Sequence, residues 1–409
     1  MSIPLVIFGF TYLLIAVQQI SVLRLNRPAA ALTGAVLMVV TGALPLHDAY
    51  AAIDLDVLVF LLGLMLLVGH LEVGGFFQWT AGWIIHRTHS PRQLLVAVVV
   101  GSGLLSGLFV NDTICLMLTP VLLATTQPLG VRPIPYLIAL AMGSNVGSLL
   151  TFAGNPQNML IGLWSGMSFG RFSLTMLPIV AGGLALTCVV LLAIYRKELA
   201  QPLRRQAEAP EVPLDRGLVA KALILFGGAV IGWVGGGSLP LIAIAAGTLM
   251  LALARRDPTE ALEKVEWSLL LFFGALFVVV RGLEHSGAIG LINARGAHYV
   301  ALGGPWTTAG AVSGVMLVLS NLISNVPAVV LWRNLVPALP DPALVWRVMA
   351  MSATLAGNLL LIGSMANLIV AERAEARGAR IGYWEYARAG LPVTILTILW
   401  GIGVLVLTA

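Results

Sequence analysis

Ser106-Gly-Leu-Phe-Val-Asn111-Asp112-Thr113-Ile-Cys-Leu-Met-Leu-Thr-Pro120 sets an amide, a carboxylate and a hydroxyl in the middle of an apolar stretch that runs from 93 to 126. A second apolar stretch, 306 to 337, carries Ser320-Asn-Leu-Ile-Ser-Asn325-Val-Pro327 at its own middle. Each reads as a re-entrant hairpin with an Asn at its tip. Non-helical backbone at membrane depth survives only where protein or a water-filled cavity satisfies it, so two such tips predict a buried site. Ser106 and Asn111 match Ser320 and Asn325 at an offset of 214. Working outward, Leu71-Glu72-Val73-Gly74-Gly75 matches Leu283-Glu284-His285-Ser286-Gly287 at 212, and Gly154 and Asn158 of GNPQN match Gly363 and Asn367 of GSMAN at 209. Three ordered matches at nearly constant offset mark an internal duplication.

Composition names the solvent. Of 409 residues, 59% are hydrophobic and 10% charged, against about 25% charge in soluble domains. So apolar a chain cannot build a water-facing surface, which excludes soluble enzymes, nucleic-acid binders and secreted disulfide scaffolds. Cys115 and Cys188 both lie inside apolar runs, so no disulfide framework and no thiolate metal site is expected. No Walker-type GxxxxGK[ST] occurs, which excludes ATP hydrolysis by this chain. No cofactor is implied. The stretch from Ile3 to Leu23 lacks the positive n-region of a signal peptide and reads as a membrane span.

About 20 apolar residues cross the hydrocarbon. Candidate spans fall at 4–23, 29–46, 56–71, 136–162 and 174–194, then at 219–234, 239–254, 267–283, 346–371 and 389–408. The expected fold is an all-α polytopic membrane protein: an inverted-repeat secondary transporter with about ten transmembrane helices, two re-entrant hairpins and two broken helices. The first repeat covers 1–195, a linker 196–218 and the second, inverted repeat 219–409. Arg196, Lys197, Arg204, Arg205, Arg216 and Lys221 put the linker in the cytoplasm, together with Arg24, Arg27, Arg87, Arg92, Arg255, Arg256, Lys264, Arg373, Arg377, Arg380 and Arg388. Both termini then lie outside. Arg281, Arg295, Arg333 and Arg347 fall on the opposite side from the other basic loops.

The polar clusters carry the candidate chemistry. Broken helices expose free N–H groups at one end and free carbonyls at the other, so hairpin tips and helix breaks hold ions or polar solutes without a full charge. Candidate binding residues are Asn111, Thr113, Asn155, Asn158, Ser324, Asn325, Ser364 and Asn367. Gly143-Ser144-Asn145 and Ala356-Gly357-Asn358 supply further candidates nearby. The competing readings are interhelical hydrogen bonding and plain kinks. Asp112 is the one acid at a hairpin tip, where its counterpart in the repeat is Val326. An intramembrane carboxylate is costly and by default functional, and Asp112 is the candidate proton-coupling residue. No His or second acid accompanies it at that depth, so an intramembrane enzyme is not expected. Two symmetric interruptions fit alternating access better than a continuous channel.

GGFFQW at 74–79, NDTICLMLTPV at 111–121, GNPQNMLIG at 154–162, SNVPAVVL at 324–331 and GSMANLIVAE at 363–372 resemble the ion transporter superfamily. That group includes ArsB-type arsenite permeases, sodium/proton antiporters, pink-eyed-dilution-type proteins and divalent-anion/sodium symporters. The resemblance covers nearly the whole chain. It implies a scaffold part and a transport part per half, with substrate and ions held by the tips and breaks named above. GFFQW, and NDT followed by LTPV, resemble arsenite permeases, whereas GNPQN is similar to the citrate/anion permease group. The Ser-Asn-Thr signature of sodium-coupled dicarboxylate carriers is incomplete, because Asp112 follows Asn111 and Val326 follows Asn325. Arsenite at neutral pH is the uncharged trihydroxide, which suits a cavity of amides and hydroxyls, and no arginine is expected there to pair a dicarboxylate. The expectation is proton-coupled efflux of arsenite or antimonite across the inner (plasma) membrane. The alternative is a proton- or sodium-coupled permease for a small anion such as a dicarboxylate, citrate or sulfate. The partners implied are the substrate, H+, membrane lipid, a second copy in a homodimer and, for an arsenite pump, an ATPase subunit; nucleic acid is not among them.

Overall fold

The computed structural model of the protein describes residues 3–16, 26–203, 213–287 and 303–408. Arg24, Arg204, Arg205 and Arg295, given loop positions above, lie outside these residues. Among the described residues there is no strand. The first half holds α1 (Ile3–Ala16), α2 (Arg27–Val40), the short α3 (Leu46–Ala52), α4 (Leu55–Val73), α5 (Phe76–Arg87), α6 (Pro91–Leu108), α7 (Asn111–Thr126), α8 (Ile134–Ser148), α9 (Pro156–Ser165) and α10 (Phe169–Ile194). The second holds α11 (Arg216–Val234), α12 (Leu239–Leu253), the short α13 (Pro258–Leu262), α14 (Trp267–His285), α15 (Pro305–Ile323), α16 (Asn325–Trp332), α17 (Pro342–Ala356), α18 (Met365–Glu375) and α19 (Tyr383–Leu407). Seven of these helices are long and apolar enough to cross a membrane. Leu174, Val189, Ile224, Ile231 and Leu399 stand exposed on them, an outward apolar surface suited to lipid.

Helix starts follow local chemistry. Ser90 accepts from the Gln93 N–H (3.2 Å) ahead of Pro91, and Asp341 accepts from the Leu344 N–H (2.9 Å) ahead of Pro342; a capping oxygen followed by proline is a strong start signal. α6 ends at Phe109, which is extended, and after Val110 α7 begins at once. α15 ends at Ser324, whose φ of 76° lies in the region that favours glycine. The two predicted hairpins are therefore α6–α7 and α15–α16. The predicted long spans 136–162 and 346–371 are the broken pairs α8–α9 and α17–α18, each interrupted by one 3-10 turn, Phe152–Gly154 and Leu361–Gly363.

The hairpins enter from opposite faces. On the face that carries the connection between the halves, Arg132, just after α7, pairs with Glu198 (3.3 Å) and Glu385 (2.8 Å). Lys264 pairs there with Glu72, and Arg256 with Asp215, both at 2.8 Å. On the far face Arg333, just after α16, stacks over the Trp164 ring at 4.8 Å, and Trp164 Nε1 donates to Asp54 (3.3 Å). Arg281 pairs with Glu284 (3.1 Å), and Asn334 donates to the same carboxylate (3.1 Å). Two of the arginines that broke the charge pattern, Arg281 and Arg333, thus sit on the far face, the first held by an acid and the second by an aromatic ring.

Close helix approach positions the first hairpin. A Cβ on Gly147 of α8 would run into the backbone of Gly103 on α6, and one on Gly143 would meet the Val99 carbonyl at 2.6 Å. This is the small-residue contact that lets membrane helices pack backbone to backbone. α5 was not separated by hydropathy. It carries Phe76 and Phe77, whose rings meet Phe109 of the tip edge-on at 6.4 and 6.1 Å, and Phe226 of α11 packs on the same ring at 4.8 Å.

Candidate functional site

Breaking a helix frees carbonyls, and the side chains around each break show how they are satisfied. Asn158 Nδ2 donates to the Ser148 and Thr151 carbonyls at 3.2 and 3.3 Å. Asn367 Nδ2 does the same for Gly357 and Leu360 at 2.7 and 3.2 Å. In both halves the bonded carbonyls lie ten and seven residues before the Asn, so the repeat preserves the mending of the break itself. Asn155 accepts from the Asn158 N–H (2.8 Å) as the cap of α9, and its Nδ2 donates to the Ser148 hydroxyl (2.9 Å) and to Thr354 (3.2 Å) on α17. Asn155, Asn158 and Asn367 are fully buried.

A further amide joins the two halves at several points. Asn145 on α8, 2% exposed, donates to Asn358 Oδ1 and to Asn367 Oδ1, both at 2.9 Å. Its Oδ1 accepts from Asn111 Nδ2 (3.1 Å) and from the Ser364 hydroxyl (3.0 Å). Both hydrogens and both lone pairs of this side chain are used, which leaves a buried amide fully satisfied. Asn325, oriented as its neighbours require, donates to the carbonyls of Ala353 (3.1 Å) and Gly363 (3.3 Å). Ser106 and Ser144 stand 2.8 Å apart, and the Ser144 hydroxyl donates to the Asn111 carbonyl (3.2 Å).

Between the tips lies a cavity of about 30 Å³. Of the candidates, Asn111, Asp112, Ser324, Asn325 and Ser364 line it. Thr113 instead lines a larger cavity beside it, and Asn155, Asn158 and Asn367 lie behind the wall in the network just described. Residues outside the candidate set add to the lining, among them Gln157, inside the GNPQN motif, Met365, and Leu269, Phe272 and Phe273 of α14. An aromatic pair in an apolar span carries no sequence signal that separates a cavity wall from ordinary packing. Asn111 Oδ1 is buried without a hydrogen-bond partner, an acceptor left over at the cavity. Asp112, 8% exposed, is the one ionisable group among the described residues that line it.

The tip cavity adjoins a larger one on the linker face. A cavity of about 260 Å³ opens toward the linker face, lined among others by Arg27, Thr113, Glu266, Glu372 and Arg373. It shares Asp112, Leu269, Phe272 and Met365 with the tip cavity. Burial pushes the Glu266 carboxyl above the usual carboxylate range, against the pull of Arg373. On the far face a cavity of about 510 Å³, lined by Asp48, Asp54, Asp56, Arg281, Glu284 and Arg333 among others, shares no lining residue with the tip cavity. Arg27, placed in a solvated loop from sequence, is 8% exposed at the start of α2 and stands in the linker-face cavity with Asp112. Asn26 caps that helix, accepting from the Ala29 N–H at 3.0 Å.

Residues 12–351 match the family model described as citrate transporter. The chain belongs to the citrate transporter family. The family lies within the ion transporter superfamily, and the chain is a multi-pass membrane transporter. It is similar along nearly its whole length to several relatives. The rice (Oryza sativa subsp. japonica) silicon efflux transporter LSI3 is 32% identical, with 97% of this chain and 96% of that protein covered. The putative transporter arsB of Dictyostelium discoideum is 24% identical over 94% of this chain and 88% of its own. The crystal structure of the Alcanivorax borkumensis YdaH transporter superposes with a TM-score of 0.54 at 15% identity, covering 99% and 98% of the two chains; that likeness concerns the fold.

Proposed function

We propose that this citrate-family transporter is a secondary active exporter of arsenite and antimonite, carried as uncharged trihydroxides and driven by proton entry through Asp112. The observation that carries the reading is the tip cavity, where Asn111, Ser324, Asn325, Ser364 and Gln157 offer amides and hydroxyls around a single carboxyl group. A neutral polyhydroxide donates several hydrogen bonds, and the unpartnered Asn111 Oδ1 is a buried acceptor ready for one of them. The name of the rice relative supports the same chemical class, because silicon in neutral water is itself an uncharged hydroxide; arsB of Dictyostelium is a second relative in that direction. Asp112 faces the linker-side cavity, so a proton released there leaves on that side, as the inner stage of alternating access requires. The many basic residues in the loops of the linker face support a cytoplasmic placement of that face in an inner membrane.

A second reading, uptake of a small anion, is favoured by one feature: Arg27 stands on the route to the cavity and could pair a carboxylate or sulfate. Everted vesicles decide between them. With pH or sodium gradients imposed and arsenite, antimonite, sulfate and succinate offered in turn, the export reading expects pH-driven accumulation of the first two. Sodium-driven movement of succinate or sulfate, with arsenite inert, overturns it in favour of the second.

A further inference from the structure

Among the described residues, Arg27 is a buried cation with no carboxylate acceptor. Its Nε has no hydrogen-bond partner, and its Nη1 donates to the thioether of Met365 at 3.3 Å, a weak acceptor for a guanidinium. A charge this deep is expensive unless it is paired in some state of the protein. The charges acting on it are those of Glu372 and Asp112, and those acting on Asp112 are Arg27 and Glu266. No ion pair among the described residues joins Arg27 to Asp112, although both line the same cavity. The remaining charged or titratable groups facing them are Arg373 on the cavity wall and Cys115, one turn along α7 from Asp112.

We propose that Arg27 is a tethered counter-cation for Asp112, pairing with its carboxylate after the proton has left and withdrawing to Met365 when the proton returns. The Asp112 O–H bond breaks, the proton passes to water in the linker-face cavity, and the negative charge left behind is matched by the Arg27 guanidinium. The paired form is neutral. It also lays the Arg27 side chain across the passage shared by Asp112, Leu269, Phe272 and Met365, between the outer cavity and the tip cavity. Met365 follows Ser364 at the start of α18, so the withdrawn guanidinium rests on the broken helix that contributes to the cavity. Proton binding and release of the passage thereby become one event, which is what coupling requires and what a lone carboxylate would not provide.

This inference rests on Asp112 as the coupling residue and not on which substrate is carried. Wild type, Arg27→Gln, Arg27→Lys, Asp112→Asn and the double variant are reconstituted into proteoliposomes and scored with arsenite. Two quantities are read: accumulation driven by a pH gradient, and counterflow with no gradient. The ratio of accumulation to counterflow should fall at least tenfold in Arg27→Gln and recover substantially in Arg27→Lys. The pH at half-maximal transport should rise in Arg27→Gln, because ionised Asp112 has lost its counter-charge. The double variant should couple no worse than Asp112→Asn alone. A wild-type ratio and pH profile in Arg27→Gln overturns the proposal. If Arg27→Gln alone does not insert, the double variant decides: recovered insertion supports a paired charge, and continued failure overturns it. If wild type moves succinate and not arsenite, the substrate reading fails while the same variants are scored on succinate. If Asp112→Asn accumulates like wild type, the coupling reading fails first.

Discussion

Replacing Asn145 by Ala removes four hydrogen bonds at once, and they connect both halves of the molecule. Asn111 Nδ2 loses its acceptor, the Ser364 hydroxyl loses its own, and Asn358 Oδ1 and Asn367 Oδ1 each lose a donor. A hydrogen bond between membrane helices is worth about 0.6 kcal/mol on average, and a buried one in a soluble protein up to about 1.5 kcal/mol. Four of them give roughly 2 to 6 kcal/mol. The upper part of that range applies if the orphaned amides find no water in their place. Asn358→Ala is the matched control, since it removes one bond to Asn145 and a 3.4 Å bond to the Met142 carbonyl. Thermal unfolding in detergent should show Asn145→Ala losing two to four times as much stability as Asn358→Ala. Substrate binding should fall as well, because Asn111 and Ser364 line the cavity and are held there by this amide. An Asn145→Ala protein as stable as the Asn358→Ala protein would refute the hub.

Three further outcomes are expected. Gly147→Val drives a side chain into the Gly103 backbone and should abolish monodisperse protein on size-exclusion chromatography, whereas Gly228→Val, with nothing within 4 Å of its Cβ, should be tolerated; equal yields would remove the backbone contact as a determinant of α6–α8 packing. Ser324→Gly relieves the positive φ of the second tip and should raise the melting temperature by the equivalent of about 1 kcal/mol, while Ser324→Ala keeps the strain and should not; both should weaken binding if the hydroxyl contacts substrate. Asp215 is held below the usual carboxylate range by the Leu218 N–H, then by Arg256. A lowered folded value means that its contribution is present above the ordinary carboxylate range and is lost as pH falls through the folded value. Hydrogen exchange in the first turn of α11 should therefore quicken on acidification before the rest of the helix loosens, by a small amount because solvent screens this exposed pair; no change in Asp215→Asn relative to wild type would sink that assignment.

Hydropathy and the repeated clusters settle much of this molecule before any folding is considered. A window of about 20 apolar residues must cross lipid, and an Asn or a Gly-Asn-Pro inside such a window must interrupt it. The hairpins and broken helices were legible for that reason, as was Asp112 as the lone acid at a tip. What the windows cannot express is which partner a buried amide finds. Asn158 and Asn367 have the composition of ligands, yet they spend their Nδ2 hydrogens on the carbonyls freed ten and seven residues earlier. Asn145 sits in an unbroken apolar helix and becomes the junction because α17 and α18, more than two hundred residues away, bring Asn358, Ser364 and Asn367 to it. Arg27 reads as loop charge from its neighbours and is buried because α14 and α18 close over the start of α2. Helices, breaks and the duplication follow from local transfer energies, which are sums over adjacent residues. The satisfied amide, the cavity wall and the stranded guanidinium follow from close packing between segments distant in the chain, where one hydrogen-bonding group has few partners within reach and only the assembled fold selects among them.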